Sequence, residues 1–197
     1  MNNIKAIVFD IGGVLYEELE HSKIIKKYNL EEEKFRYTVR KYLEDAILGK
    51  LGSFEFIKCI ANDLNVSPRK FFKDWVKERE NLKVNKELKN IIKKLKKNYK
   101  IAAFTNIIKS SEIDRKKKRV YEHFHLKIKS IDYGLKKPDV RFYKLLIKKL
   151  SLKPDEIIFV DDSKGNLIPA KKLGIKTILF KNNNRLIRDL RRFGVKI

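Results

Sequence analysis

The sequence predicts an α/β fold: a Rossmann-like parallel sheet with helices on both faces, plus a small all-α segment inserted after the first strand. Three observations carry that expectation. Five short apolar runs, IKAIVF (4–9), KIAAF (100–104), LKIK (126–129), IIFV (157–160) and KTILF (176–180), read as buried strands. From residue 84 onward these runs alternate with helix-length amphipathic segments, which implies right-handed parallel crossovers. From about 20 to 82 there is no strand candidate at all, only helical periodicity.

Taken in order, the strand at 4–9 leads to the inserted block. There Phe35, Val39, Tyr42, Leu43, Ala46 and Ile47 recur at helical spacing. GKLGS (49–53) is a turn, with Ser53 the expected cap of FEFIKCIANDL (54–64). Ser67 caps and Pro68 opens SPRKFFKDWVKERE (67–80). The helix NKELKNIIKKLKK (85–97) precedes the strand at 100–104, and a basic helical stretch precedes 126–129. Helices 139–150 and 164–173 precede the last two strands, and NRLIRDLRRFG (184–194) closes the chain.

Composition narrows the classes. With 197 residues, 43% apolar and 11% aromatic, the chain has material for a folded core. No apolar run approaches the roughly 18 residues of a membrane span, and the start lacks a secretory pattern, so a cytoplasmic protein is expected. One cysteine, Cys59, excludes an internal disulfide and is expected in the core. The net charge of +23 would attract phosphorylated metabolites, nucleic acid or acidic surfaces, and a simple lysine bias would produce it too. DRKKKRV (114–120) is either the solvated face of a helix or a contact for nucleic-acid phosphates. His123 and His125 share a strand face but lack further ligands.

Ligands of such sheets bind beyond the carboxyl ends of the strands. There the sequence places Asp10, then Thr105 and Asn106, then Asp161 and Asp162, with Lys136 and Lys137 in GLKKPD (134–139). Three carboxylates at one edge repel each other unless a cation intervenes. The chemistry that uses this set is phosphoryl transfer to an aspartate. Asp10 would attack phosphorus, and Mg²⁺ held by the carboxylates would shield it from the approaching dianion. Thr105 would hold the phosphoryl oxygens and Lys137 would neutralise charge that grows in the transition state.

VFDIGGVL (8–15), AAFTN (102–106), GLKKPDVRFY (134–143) and IIFVDDSKGNLIPAKKLG (157–174) together resemble the four motifs of the haloacid dehalogenase-like hydrolase superfamily. The likeness is to its phosphatase branch with a small helical cap, including members similar to sugar-1-phosphate phosphatases. It implies a discontinuous core (1–16 and 84–197) and a cap (17–83). It implies Asp10 as nucleophile, Lys137 as the catalytic lysine, and Thr105, Asn106 and Lys137 on the phosphate. Asp10, Asp161, Asp162 and the Gly12 carbonyl would hold Mg²⁺, and Asn166 would support that loop. Lys136 matches no catalytic position.

The departure is Gly12, where most phosphatases of the superfamily carry a second Asp that handles the leaving group's proton. The resemblance therefore implies a hydrolase of a small phosphorylated metabolite with a good leaving group, or slow turnover with water or a cap residue supplying the proton. It also leaves a chain that only binds, including a polyanion- or nucleic-acid-binding protein. Dehalogenases of the superfamily also lack the second Asp, but the double aspartate of VDDS argues against them.

Overall fold

The computed structural model describes residues 4–197. Five strands form one parallel sheet: β1 (Ala6–Phe9), β2 (Lys100–Thr105), β3 (Leu126–Lys129), β4 (Ile157–Asp161) and β5 (Lys176–Leu179). Their order is β3-β2-β1-β4-β5, so the direction of strand addition reverses between β1 and β4. That reversal opens a crevice at the carboxyl ends of these two strands.

Alternation along β1 divides the core. Ile7 and Phe9 face α5 (Lys86–Leu95) and α10 (Asn183–Arg192), packing with Leu88, Ile92, Leu186 and Leu190. Ala6 and Val8 face the other side, where α8 (Val140–Leu150) contributes Phe142, Tyr143 and Leu146. β1 is thus buried on both faces, and Asp10 follows from a rigid element.

Between β1 and α5 lie four helices, α1 (Ser22–Lys27), α2 (Glu32–Ile47), α3 (Ser53–Asp63) and α4 (Pro68–Arg79). They bury a cluster of their own, centred on Phe35, Phe56, Ile60, Phe71 and Trp75. Two chain crossings join this block to the sheet: Tyr16 pairs with Val84, and the Asn85 amide donates to the Leu15 carbonyl at 2.9 Å. A third tie comes from α6 (Lys109–Lys117), whose C-cap Lys118 donates its ammonium to the Glu80 carbonyl at 2.8 Å and to the Leu82 carbonyl. No helix among the described residues is long and apolar enough to cross a membrane.

Several local expectations are corrected. Gly52, not Ser53, is the N-cap of α3, because the helix already begins at Ser53. Cys59 is half-buried, since the buried stripe of α3 runs through Phe56, Ile57, Ile60 and Ala61 and leaves it at the margin. The run at 114–120 is solvated only in part: Lys116, Lys117 and Arg119 are exposed, whereas Arg115 is buried and Lys118 clamps the end of α4. His125 has a structural partner, its Nδ1 accepting from the Ile101 amide at 3.0 Å.

Candidate active site at the β1–β4 edge

Asp10, Asp161 and Asp162 offer carboxylate oxygens that all lie within 4.8 Å of one another. Asp10 and Asp161 are buried, whereas Asp162 is exposed. Lys137, 3% exposed, inserts its ammonium between the buried two, 3.0 Å from Asp10 Oδ1 and 2.6 Å from Asp161 Oδ2. The rings of Phe104 and Phe159 floor the ammonium at 5.7 and 5.4 Å. Asp161 is further held by the Ser163 amide at 2.8 Å and by Asn166 Nδ2 at 3.0 and 3.1 Å, so Asn166 does support this loop.

One ammonium does not balance three carboxylates. Partial desolvation on the inner side of its carboxyl, then the charges of Asp10, Asp161 and Glu18, push Asp162 up to about 6 although the residue is exposed. Burial also pushes Asp161 up, against the pull of Lys137 and with the push of Asp10. Oxygen-rich, mutually repelling and open on the Asp162 side, this donor set fits a hard divalent cation.

The main chain after Asp10 is shaped by Gly13, not Gly12. Gly13 has φ +68°, and a Cβ there would lie 2.2 Å from Asp162 Oδ2. A side chain at that position would strain the backbone and displace a carboxylate of the cluster. Gly12 lies outside the left-handed region, and a Cβ on it would meet only Glu18 Oε1 at 3.0 Å and Arg115 Nη2 at 3.5 Å. The backbone therefore does not require glycine at 12.

Thr105 ends β2 fully buried. Its hydroxyl donates to the Asn106 carbonyl at 3.2 Å and accepts from Arg115 Nη1 at 3.2 Å. Asn106 behaves differently from the sequence expectation of a phosphate contact. Its side chain is spent on the backbone of Lys137, with Nδ2 donating to the carbonyl at 3.0 Å and Oδ1 accepting from the amide at 2.9 Å. It positions the loop that delivers the lysine. Lys136 points elsewhere, toward Glu44 of α2 at 3.3 Å.

Sequence reasoning missed Arg115 as a site residue. The buried face of α6 is Ser110, Ser111 and Arg115, so no apolar periodicity marks it, and Arg115 hides among surface-like cations. Arg79 and Glu18, which line the adjoining cavity, were missed as well: Arg79 is a polar residue far in sequence from any motif, and Glu18 follows the first motif in a run of acids that marks no site.

A family model for "haloacid dehalogenase-like hydrolase" matches residues 4–174. Among characterised relatives, drimenol cyclase drtB of Aspergillus calidoustus is 25% identical over 95% of this chain, which spans 36% of that protein. Bifunctional epoxide hydrolase 2 of Mus musculus is 39% identical over 35% of this chain and 12% of its own length. The chain thus spans well under two thirds of these relatives. A HAD family enzyme of Bacteroides thetaiotaomicron has a similar structure, with TM-score 0.79 and 24% identity over 91% of this chain and 94% of that one. The same enzyme is known in complex with magnesium and inorganic phosphate (TM-score 0.74, 22% identity, 90% and 94% covered). At these identities the structural likeness is one of fold.

Proposed function

Because the chain belongs to the haloacid dehalogenase-like hydrolase family, we propose that it is a Mg²⁺-dependent phosphatase of a small phosphorylated metabolite, with Asp10 as nucleophile. The observation that carries this reading is the packing of three carboxylates within 4.8 Å of one another, with a single ammonium paired to two of them. Displacement at carbon by one aspartate needs no such cluster. A dianionic phosphate approaching Asp10 does need positive charge beside it.

Asp10, Asp162, Asp161 and the Gly12 carbonyl would hold Mg²⁺, which would supply charge neutralisation for the phosphoryl oxygens. The chain's own residues do the rest. Both contacts of Asp10, from the Ile11 amide at 2.6 Å and from Lys137 at 3.0 Å, fall on Oδ1. They orient the carboxylate with Oδ2 as the attacking atom. A bond forms from Oδ2 to phosphorus as the bond from phosphorus to the leaving oxygen breaks, and that oxygen departs with the electron pair. Water then attacks phosphorus of the aspartyl-phosphate, releasing phosphate and restoring Asp10. Thr105 and Lys137 contact the phosphoryl oxygens and offset their growing charge, while Asn106 holds Lys137 in place.

Gly12 has no side chain to protonate the departing oxygen. The preferred substrates are therefore those whose leaving group is stable as it departs, such as anomeric sugar phosphates, nucleotides or acyl phosphates. Residues 17–83 act as the cap over a core of 1–16 and 84–197, of which 1–3 lie outside the described residues, with the substrate between them. A cytoplasmic setting accords with the lone half-buried thiol of Cys59. The polyanion-binding alternative is weakened because two cations of the basic run are not on the open surface: Arg115 is buried, and Lys118 is engaged with the carbonyl of Glu80.

The test is phosphate release from 4-nitrophenyl phosphate. It should require Mg²⁺, cease with EDTA, and fall at least a thousandfold in Asp10→Asn. Metal-independent turnover, or full activity of Asp10→Asn, would overturn the assignment.

A further inference from the structure

Between the four-helix block and the sheet edge lies a cavity of about 490 Å³. Phe35, Val39, Leu43, Phe56 and Trp75 give it an apolar wall. Four arginines also line it: Arg36 and Arg40 of α2 are exposed, whereas two are buried, Arg79 at the end of α4 and Arg115 in α6. The buried two are 8% and 7% exposed, and the Nε of each is buried without a hydrogen-bond partner.

Neither guanidinium joins an ion pair among the described residues. The acids of α6 are committed elsewhere: Asp114 to the Tyr16 hydroxyl and Lys118, Glu112 to Lys116 and Lys129. Glu17, at the cavity mouth, accepts from the Lys83 amide at 2.8 Å. Glu18 also lines the cavity, and both it and Arg115 approach Gly12, but the two form no ion pair. Burial and the Arg115 charge push the Arg79 guanidinium below its usual range, with Asp114 and Tyr16 pulling the other way.

Two buried like charges without counter-ions are costly, and a planar guanidinium pair is suited to a carboxylate or phosphate. The pair is also connected to the chemistry, because Arg115 Nη1 reaches the Thr105 hydroxyl at 3.2 Å. The phosphoryl group at Asp10 already has Thr105 and Lys137, so it does not account for Arg79.

We propose that Arg79 and Arg115 form a second anion site, and that the substrate is a phosphomonoester with an apolar body and a second anionic group. This deepens the phosphatase reading and rests on it. The second anion bridges the two arginines, and the body lies against the aromatic wall of the cap. Only a ligand with both features neutralises the pair and fills the cavity.

The test measures affinity without turnover. Asp10→Asn protein with Mg²⁺ is titrated by calorimetry with phenyl phosphate, the three isomers of carboxyphenyl phosphate and the three phenylene bisphosphates. Fluorescence of Trp75, the sole tryptophan, reports occupancy of the cavity. At least one doubly anionic isomer should bind tenfold or more tighter than phenyl phosphate. Adding Arg79→Gln should reduce that preference to under threefold, whereas Arg79→Lys should keep part of it. A preference in the carboxylate series or in the bisphosphate series identifies the second anion. Equal affinity across all seven compounds, no binding by any, or a preference that survives Arg79→Gln in a protein of unchanged melting temperature overturns the proposal. If the preference holds but wild-type protein hydrolyses none of these esters, the anion site stands and the phosphatase reading falls.

Discussion

Replacing Lys137 with methionine tests whether this ammonium holds the site together. Lys137 is 3% exposed and lies 3.0 and 2.6 Å from two buried carboxylates. Methionine keeps the length of the stem and its packing on Phe104 and Phe159, but removes the charge. Asp10 and Asp161 then face each other and Asp162 with no cation between them. Leaving a buried charge unpaired costs about 3–5 kcal/mol. For a chain of this size each kcal/mol lowers the melting temperature by about 2–4 °C, so the metal-free variant should melt roughly 6–20 °C below wild type. Mg²⁺ should restore more stability to the variant than it adds to wild type, because it supplies the missing positive charge. Thermal melts in EDTA and in millimolar Mg²⁺ read both effects. A metal-free variant melting within 2 °C of wild type would refute the electrostatic account of the cluster.

Gly12→Asp should fold normally, since its Cβ meets side-chain atoms and no backbone, Glu18 Oε1 at 3.0 Å and Arg115 Nη2 at 3.5 Å. A supplied acid should raise turnover of alkyl phosphates tenfold or more relative to aryl phosphates. An unchanged ratio would mean that another group handles the proton, with Glu18 the nearest carboxylate. Gly13→Ala should destabilise by about 1–2 kcal/mol through its positive φ and weaken Mg²⁺ binding by displacing Asp162. Metal titration with wild-type affinity would contradict this. Burial holds His21 below its usual range against the opposing pull of Glu78. Its unfolded form therefore takes up a proton first as pH falls through about 6.5, and folding stability declines below that point. Relative to wild type, His21→Phe should show a shallower loss of stability from pH 7 to 5, measured by urea unfolding; parallel curves would exclude His21 as the source.

The parallel sheet was legible because β1, β2 and β4 are buried on both faces and so read as unbroken apolar runs. Strand-end carboxylates were legible for a related reason: an ionisable residue terminating such a run has few structural explanations, and Asp10, Asp161 and Asp162 do meet. What the sequence could not convey was how polar side chains are spent. Asn106 turns both its polar ends onto the Lys137 backbone, and no pattern of residue types distinguishes that from a ligand contact.

The two glycines show where the boundary lies. By itself the sequence determined that an acid is absent at position 12, and that the chain is permissive at 12 and 13. Tertiary structure alone decided that only Gly13 is needed by the backbone, because φ and the approach of Asp162 depend on how β1 and β4 are juxtaposed. In the same way, composition determined the excess of positive charge, but only packing decided which cations are buried without counter-ions. Arg79 and Arg115 stand 36 residues apart in the chain and line one cavity because α4 folds back against α6. Burial and partnership are properties of the surroundings, and for long-range contacts the surroundings exist only once the chain has closed.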